Sequence, residues 1–223
     1  MPVRRRSPAT RFTVLRRSVL PLARPVPVPS GPRSSTPCTT WAPKTWRPSP
    51  SVRSMSPAPD LSVYLVADAD QCRSRGRSVL RTAEEAVAGG VTCVQLRAKR
   101  ADGGAFLDEV LAVAGAIGGR VPVIVNDRID VFLAARRLSA AVAGVHVGQA
   151  DLPAVLVRRL IGDDAFLGLS AATPDELRLA DEQGACDHVG IGTIRDTPTK
   201  PDAPAGLGLD GAARLAALTD LPA

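Results

Sequence analysis

The sequence predicts an α/β fold of the (β/α)8-barrel (TIM-barrel) type. About six β/α units fall in residues 61–223, behind a disordered extension over residues 1–60. Three observations carry this. Short apolar runs alternate with segments of helical period, which implies a parallel sheet covered on its faces. No GxGxxG turn follows the first run, as a doubly wound open sheet would usually show. Polar residues gather at the C-terminal ends of the runs, where a barrel carries its site.

The elements follow in order. "SVYLVAD" reads as the first strand, "VADADQC" follows it, and "GRSVLRTAEEAVAGG" reads as a helix closed by glycines. "VTCVQLR" is the second strand and "GGAFLDEVLAVAGAIGG" its helix. "VPVIVND" precedes the helical "IDVFLAARRLSAA", and "AGVHVG" precedes "LPAVLVRRLIG". "AFLGLSA" is the fifth strand; in "TPDELRLADEQGA" Thr173 can cap the helix and Pro174 can take its first turn. "DHVGIGTI" and "LDGAARLAALT" complete the sixth unit.

The second strand holds the most informative pattern. Gln95, Arg97 and Lys99 occupy every second position, so they share one face, while Leu96 and Ala98 take the other. In a barrel that face points inward, and its C-terminal end opens at the mouth. Other strand ends add Asp68, Asn126 and Asp127, Gln149 and Asp151, Ser170, and Thr197, Thr199 and Lys200.

Arg97, Lys99 and Lys200 form a cationic set suited to phosphate oxygens, with hydroxyls from Thr197 and Thr199 and close backbone approach at Gly190 and Gly192. Asp127 and Asp151 form an anionic set. Two carboxylates plus phosphate oxygens are a common way to hold Mg2+. The alternative for each aspartate is a helix N-cap, and Asn126 can serve as a turn residue. His146 shares a face with Gly144 and Gly148 and reads as a packed or hydrogen-bonded histidine rather than a base. His188 sits at a strand start, the wrong end of a barrel for chemistry.

Composition narrows the function classes. Residues 1–60 hold 11 of the 28 Lys/Arg but one of the 22 acids, so they carry +10 while residues 61–223 carry −4. The basic character belongs to the extension, and the folded part offers no electrostatic footprint for nucleic acid. The extension also holds 13 of the 20 prolines, too few apolar residues to offset chain entropy, and Met55 as an alternative start. Its Arg- and Ser-rich, acid-poor character makes an organellar transit peptide the minority reading. No apolar run reaches the roughly 18 residues needed to cross a bilayer. Cys38, Cys72, Cys93 and Cys186 lack CxxC spacing, so the expectation is a reduced cytoplasmic protein with Cys93 buried.

Taken together, "YLVAD", "GGVTCVQLRAK", "VIVNDRIDVFLA", "GVHVGQADLP", "GLSAATPDEL" and "TPTK" resemble the thiamine phosphate synthase family, in order and at nearly its spacing. The resemblance implies a transferase that joins hydroxymethylpyrimidine diphosphate to hydroxyethylthiazole phosphate and releases pyrophosphate, with Mg2+ as cofactor. It assigns Gln95, Arg97, Lys99, Asn126 and Ser170 to the pyrimidine diphosphate and Asp127 and Asp151 to Mg2+. Thr197 and Thr199 go to the thiazole phosphate, and Lys200 to the diphosphate. Arg97, Lys99 and Lys200 would carry the charge stabilisation of the leaving group. Partners are then small molecules, with no nucleic acid or membrane, and a homo-oligomer stays open.

The sequence departs from the family at Ala150, where an acid is usual, at Ala172, often His, at Thr193 and Arg195, and in a longer "RRLSAAVAG" segment. It also stops at "LTDLPA", where the family continues into a seventh strand, a glycine-rich phosphate turn and an eighth unit. The expectation is therefore a barrel lacking two units, with its competence as an enzyme in question. A thiazole tautomerase-like relative and a non-catalytic member that binds a phosphorylated ligand stay open as alternatives.

Overall fold

The computed structural model describes residues 59–196 and 205–223. The expected extension over 1–60 lies almost wholly outside the described residues, as do Thr197, Thr199 and Lys200. Six strands form one sheet, β1 Tyr64–Asp68, β2 Cys93–Arg97, β3 Val123–Asn126, β4 Gly144–Val147, β5 Phe166–Ala171 and β6 His188–Ile191. Their order in the sheet is their order in the chain, and every pair is parallel. The helices are α1 Ala69–Ser74, α2 Val79–Ala88, α3 Gly103–Ile117, α4 Ile129–Arg137, α5 Ala154–Ile161, α6 Pro174–Gln183 and α7 Gly208–Ala216. The barrel-type α/β expectation is met, and each predicted strand and helix is present with its ends trimmed by a few residues.

One element adds to the sequence reading. The segment after β1, to which the sequence assigns no element, is a short helix, α1. Asp68 nucleates it by accepting from the N–H groups of Asp70 and Gln71, both at 3.0 Å. Six residues are too short for a helical period to show in the sequence.

Strand alternation builds two apolar layers. Val94, Leu96, Val123, Val125, Val145, Val147, Leu167, Leu169 and Val189 face the helices and pack with Phe106, Val110, Phe132 and Leu177 in the main core. The opposite face lines the concave side. There Cys93, Ile124 and Phe166 form a smaller cluster with Tyr64. Cys93 is fully buried, and burial pushes its thiol up to about 12, so it is an inert packing residue. The curl of the sheet shows in a contact between its two ends. The Tyr64 ring on β1 lies 5.9 Å from that of His188 on β6, and His188 stacks on Phe166 at 4.9 Å.

Helix ends follow local chemistry. Thr173 caps α6 by accepting from Glu176 N, and the Glu176 carboxylate accepts in return from Thr173 N, a capping box with Pro174 in the first turn. Beneath α5 a buried ion pair ties the layers together. Arg158 reaches Asp187 at 2.6 Å and the carbonyls of Gly162, Ala165 and Ala185. Among the described residues no helix is long and apolar enough to cross a membrane.

Candidate active site

The concave face ends in a hollow of about 740 Å³ at the C-terminal ends of the strands, lined by residues of β2 to β6 and the loops that follow them. Arg97, Lys99, Asn126, Asp127, Asp151 and Ser170 all line it. The strand register explains the convergence. Arg97 pairs with Asp68 across β1–β2, Asn126 with His146 across β3–β4, and Ser170 with Gly190 across β5–β6. A smaller hollow of about 450 Å³ lies among the loops that lead into the strands. Its Arg136 is paired with Asp164 at 2.7 Å, and barrels do their chemistry at the other end.

Two side chains of the second strand are held from β1. The Arg97 guanidinium pairs with Asp68, whose other carboxylate oxygen caps α1. One aspartate thus fixes both a helix start and the aim of the arginine. Gln95, 4% exposed, lies one layer deeper and hydrogen-bonds Tyr64 Oη at 3.0 Å through its Nε2. It is not among the residues that line the hollow. Lys99 is half exposed and stands 3.6 Å from Asp127 Oδ2.

Neither aspartate serves as a helix cap. The N-cap of α4 is Arg128 and that of α5 is Pro153, and neither start has a side-chain cap bond. Asp127 takes a left-handed backbone, φ 59°, which L-residues adopt at a cost, Asp among the least. Its N–H donates to His146 O at 2.8 Å. Asp151 Oδ2 accepts from Gly148 N at 2.8 Å. Burial first, and then the charge of Asp151, push the Asp127 carboxyl above its ordinary value, against the pull of Lys99. A half-buried carboxylate whose proton affinity is raised by burial and by a facing aspartate is part of a hard-oxygen donor pair that a divalent cation would satisfy. Among the described residues no group of three or more His, Cys, Asp or Glu side chains is placed to hold a metal. Such a cation would therefore take further oxygens from water or ligand.

Two residues at the mouth, one set aside by the sequence reading and one noted there only as a polar strand end, are tied to Ser170. His146, 8% exposed, lines the hollow with its Nε2 2.9 Å from Ser170 Oγ. Gln149 Nε2 donates to Ser170 O at 2.7 Å. The signal for His146 was its parity with Gly144 and Gly148, which placed it on the concave face without saying what it touches. His188 lies below it, 6% exposed, with its ring centroid 5.3 Å from that of His146.

Residues 63–223 match the family model described as thiamine monophosphate synthase. The chain belongs to this family. It is similar to the thiamine-phosphate synthase of Azorhizobium caulinodans, 44% identical over 164 residues that cover 73% of this chain and 74% of that one. The Corynebacterium efficiens thiamine-phosphate synthase is 38% identical over 75% of this chain and 76% of its own length. That of Chloroflexus aurantiacus is 46% identical over 68% and 67%. Ala150, Ala172 and Thr193 also line the hollow.

Proposed function

We propose that the chain is a thiamine-phosphate synthase, joining hydroxymethylpyrimidine diphosphate to hydroxyethylthiazole phosphate with release of pyrophosphate. The observation that supports this best is one mouth in which Arg97 and Lys99 face Asp127 and Asp151, in a chain of this family. The leaving group is an anion, so catalysis is charge stabilisation and placement, and no protein nucleophile is required.

Each residue then has a task. Arg97, oriented by Asp68, grips diphosphate oxygens, and Lys99 adds a mobile point charge. Lys200 would add a third cation. Gln95, Asn126 and Ser170 supply polar contacts to the pyrimidine and its diphosphate, and Thr197 and Thr199 hydroxyls to the thiazole phosphate. Asp127 and Asp151 would hold Mg2+. The bound ion would neutralise charge developing on the departing pyrophosphate. The bond that breaks joins the pyrimidine methylene carbon to the diphosphate oxygen; the bond that forms joins that carbon to the thiazole nitrogen. A soluble, cytoplasmic setting fits small phosphorylated substrates of this kind.

The test is to supply both substrates with Mg2+ and measure thiamine phosphate and pyrophosphate together. Equal amounts of the two, abolished by chelator, are expected. Pyrophosphate release without thiamine phosphate, or product formed in excess chelator, would contradict the proposal.

A further inference from the structure

Ser170 is held from two directions, its carbonyl by Gln149 and its hydroxyl by His146. The imidazole comes from β4 and lies over Gly168 of β5 to reach it. That path exists because two neighbouring positions lack side chains. A Cβ at Gly168 would lie 2.3 Å from His146 Nδ1 and 2.1 Å from His188 Cε1, distances no side chain tolerates. A Cβ at Gly190 would lie 3.1 Å from His146 Cε1. Neither glycine has the positive φ that would call for it on backbone grounds. Both are explained by the ring they admit.

We infer that His146 is a positioning residue that turns the Ser170 hydroxyl into the mouth for an anionic ligand. This rests on the reading of the mouth as a diphosphate site. A serine hydroxyl has one donor and two acceptor lone pairs. When the imidazole carries its proton on Nε2 and donates to Ser170 Oγ, the serine O–H is left to donate to a phosphate oxygen. In the other tautomer the hydroxyl spends its proton on the ring and shows the anion only lone pairs. Binding of an anion therefore selects the Nε2–H form, and His146 prepays the orientation of the donor. The imidazole, which itself lines the hollow, acts on the anion by way of the Ser170 hydroxyl.

Magnesium pyrophosphate is the probe. The chain has only two histidines, so their ring nitrogens are separable by 15N NMR. In the unaltered protein, pyrophosphate should shift the His146 nitrogens toward the Nε2–H signature, and Ser170→Ala should remove that response. His146→Leu should weaken pyrophosphate binding, and raise the KM for the pyrimidine diphosphate, by about tenfold or more. His146→Gln, whose amide can also donate, should recover most of the loss. In a Ser170→Ala background, His146→Leu should add little.

Unaltered binding by His146→Leu would overturn the inference, as would a histidine spectrum indifferent to pyrophosphate. Fully additive losses in the double variant would also overturn it, because His146 would then act by another route. A protein that shows the full pattern yet forms no thiamine phosphate leaves the inference standing and removes the synthase reading instead.

Discussion

Replacing Arg158 with Met tests how the layers are tied. Arg158 is 4% exposed and donates to Asp187 Oδ2 and to three carbonyls, at 2.5 to 2.9 Å. Asp187 in turn accepts from Leu167 N at 2.7 Å, so the pair staples α5 to the entry of β5 and β6. Methionine keeps much of the volume but removes the charge and every donor. The Asp187 carboxylate then stays buried without its guanidinium, and three carbonyls lose a partner. Breaking a buried pair from one side costs about 3–5 kcal/mol. At about 2.1 cal/mol/K per residue over roughly 160 ordered residues, that is a fall in Tm of about 9–15 °C. Circular dichroism melts and urea titrations at one pH read it directly. Arg158→Met with Asp187→Leu should regain a large part of the loss, because no unpaired charge is left. A single variant within about 3 °C of the parent, or a double variant worse than the single, would show that the pair is not the tie described.

Three further outcomes are expected. Burial holds the His188 imidazole down at about 4, against 6.5 when unfolded, so the unfolded chain takes up a proton that the fold refuses. Stability should be full above pH 6.5 and fall by about 3 kcal/mol as pH drops to 4, and His188→Leu should flatten that part of the profile in acid titrations. Without metal, Asp127→Asn should raise stability by about 0.5–2 kcal/mol, because it removes a carboxylate that burial and Asp151 both oppose, while product formation in Mg2+ falls at least a hundredfold. Thr173→Ala should cost about 1 kcal/mol through loss of the α6 capping box, read in thermal or urea melts.

Much of the fold was legible because the periods of strand and helix differ. The capping box of α6 could be read as T-P-D-E, since both partners are local. The convergence of Arg97, Lys99, Asp127 and Asp151 was legible from parity and from their positions at strand ends. Contacts that cross the fold were not. Arg158 looks like a solvated helix residue beside Arg159, and nothing local points to Asp187. Asp127 and Asp151 look like caps until the observed helix starts, at Arg128 and Pro153, release them. The depth of Gln95 also escaped the sequence, because alternation gives a face but not a layer.

The meeting of Tyr64 and His188 has a kinetic side. Every ladder in the sheet joins strands that are neighbours in the chain, so the fold can grow unit by unit through short loop closures. The ring contact asks the first strand to find the sixth. It carries the largest closure entropy and cannot form until all six units are in place, which puts it on the native side of the folding barrier. Interactions formed that late brake unfolding rather than speed folding. The contact in which the curl of the sheet shows would also set how long the curl lasts.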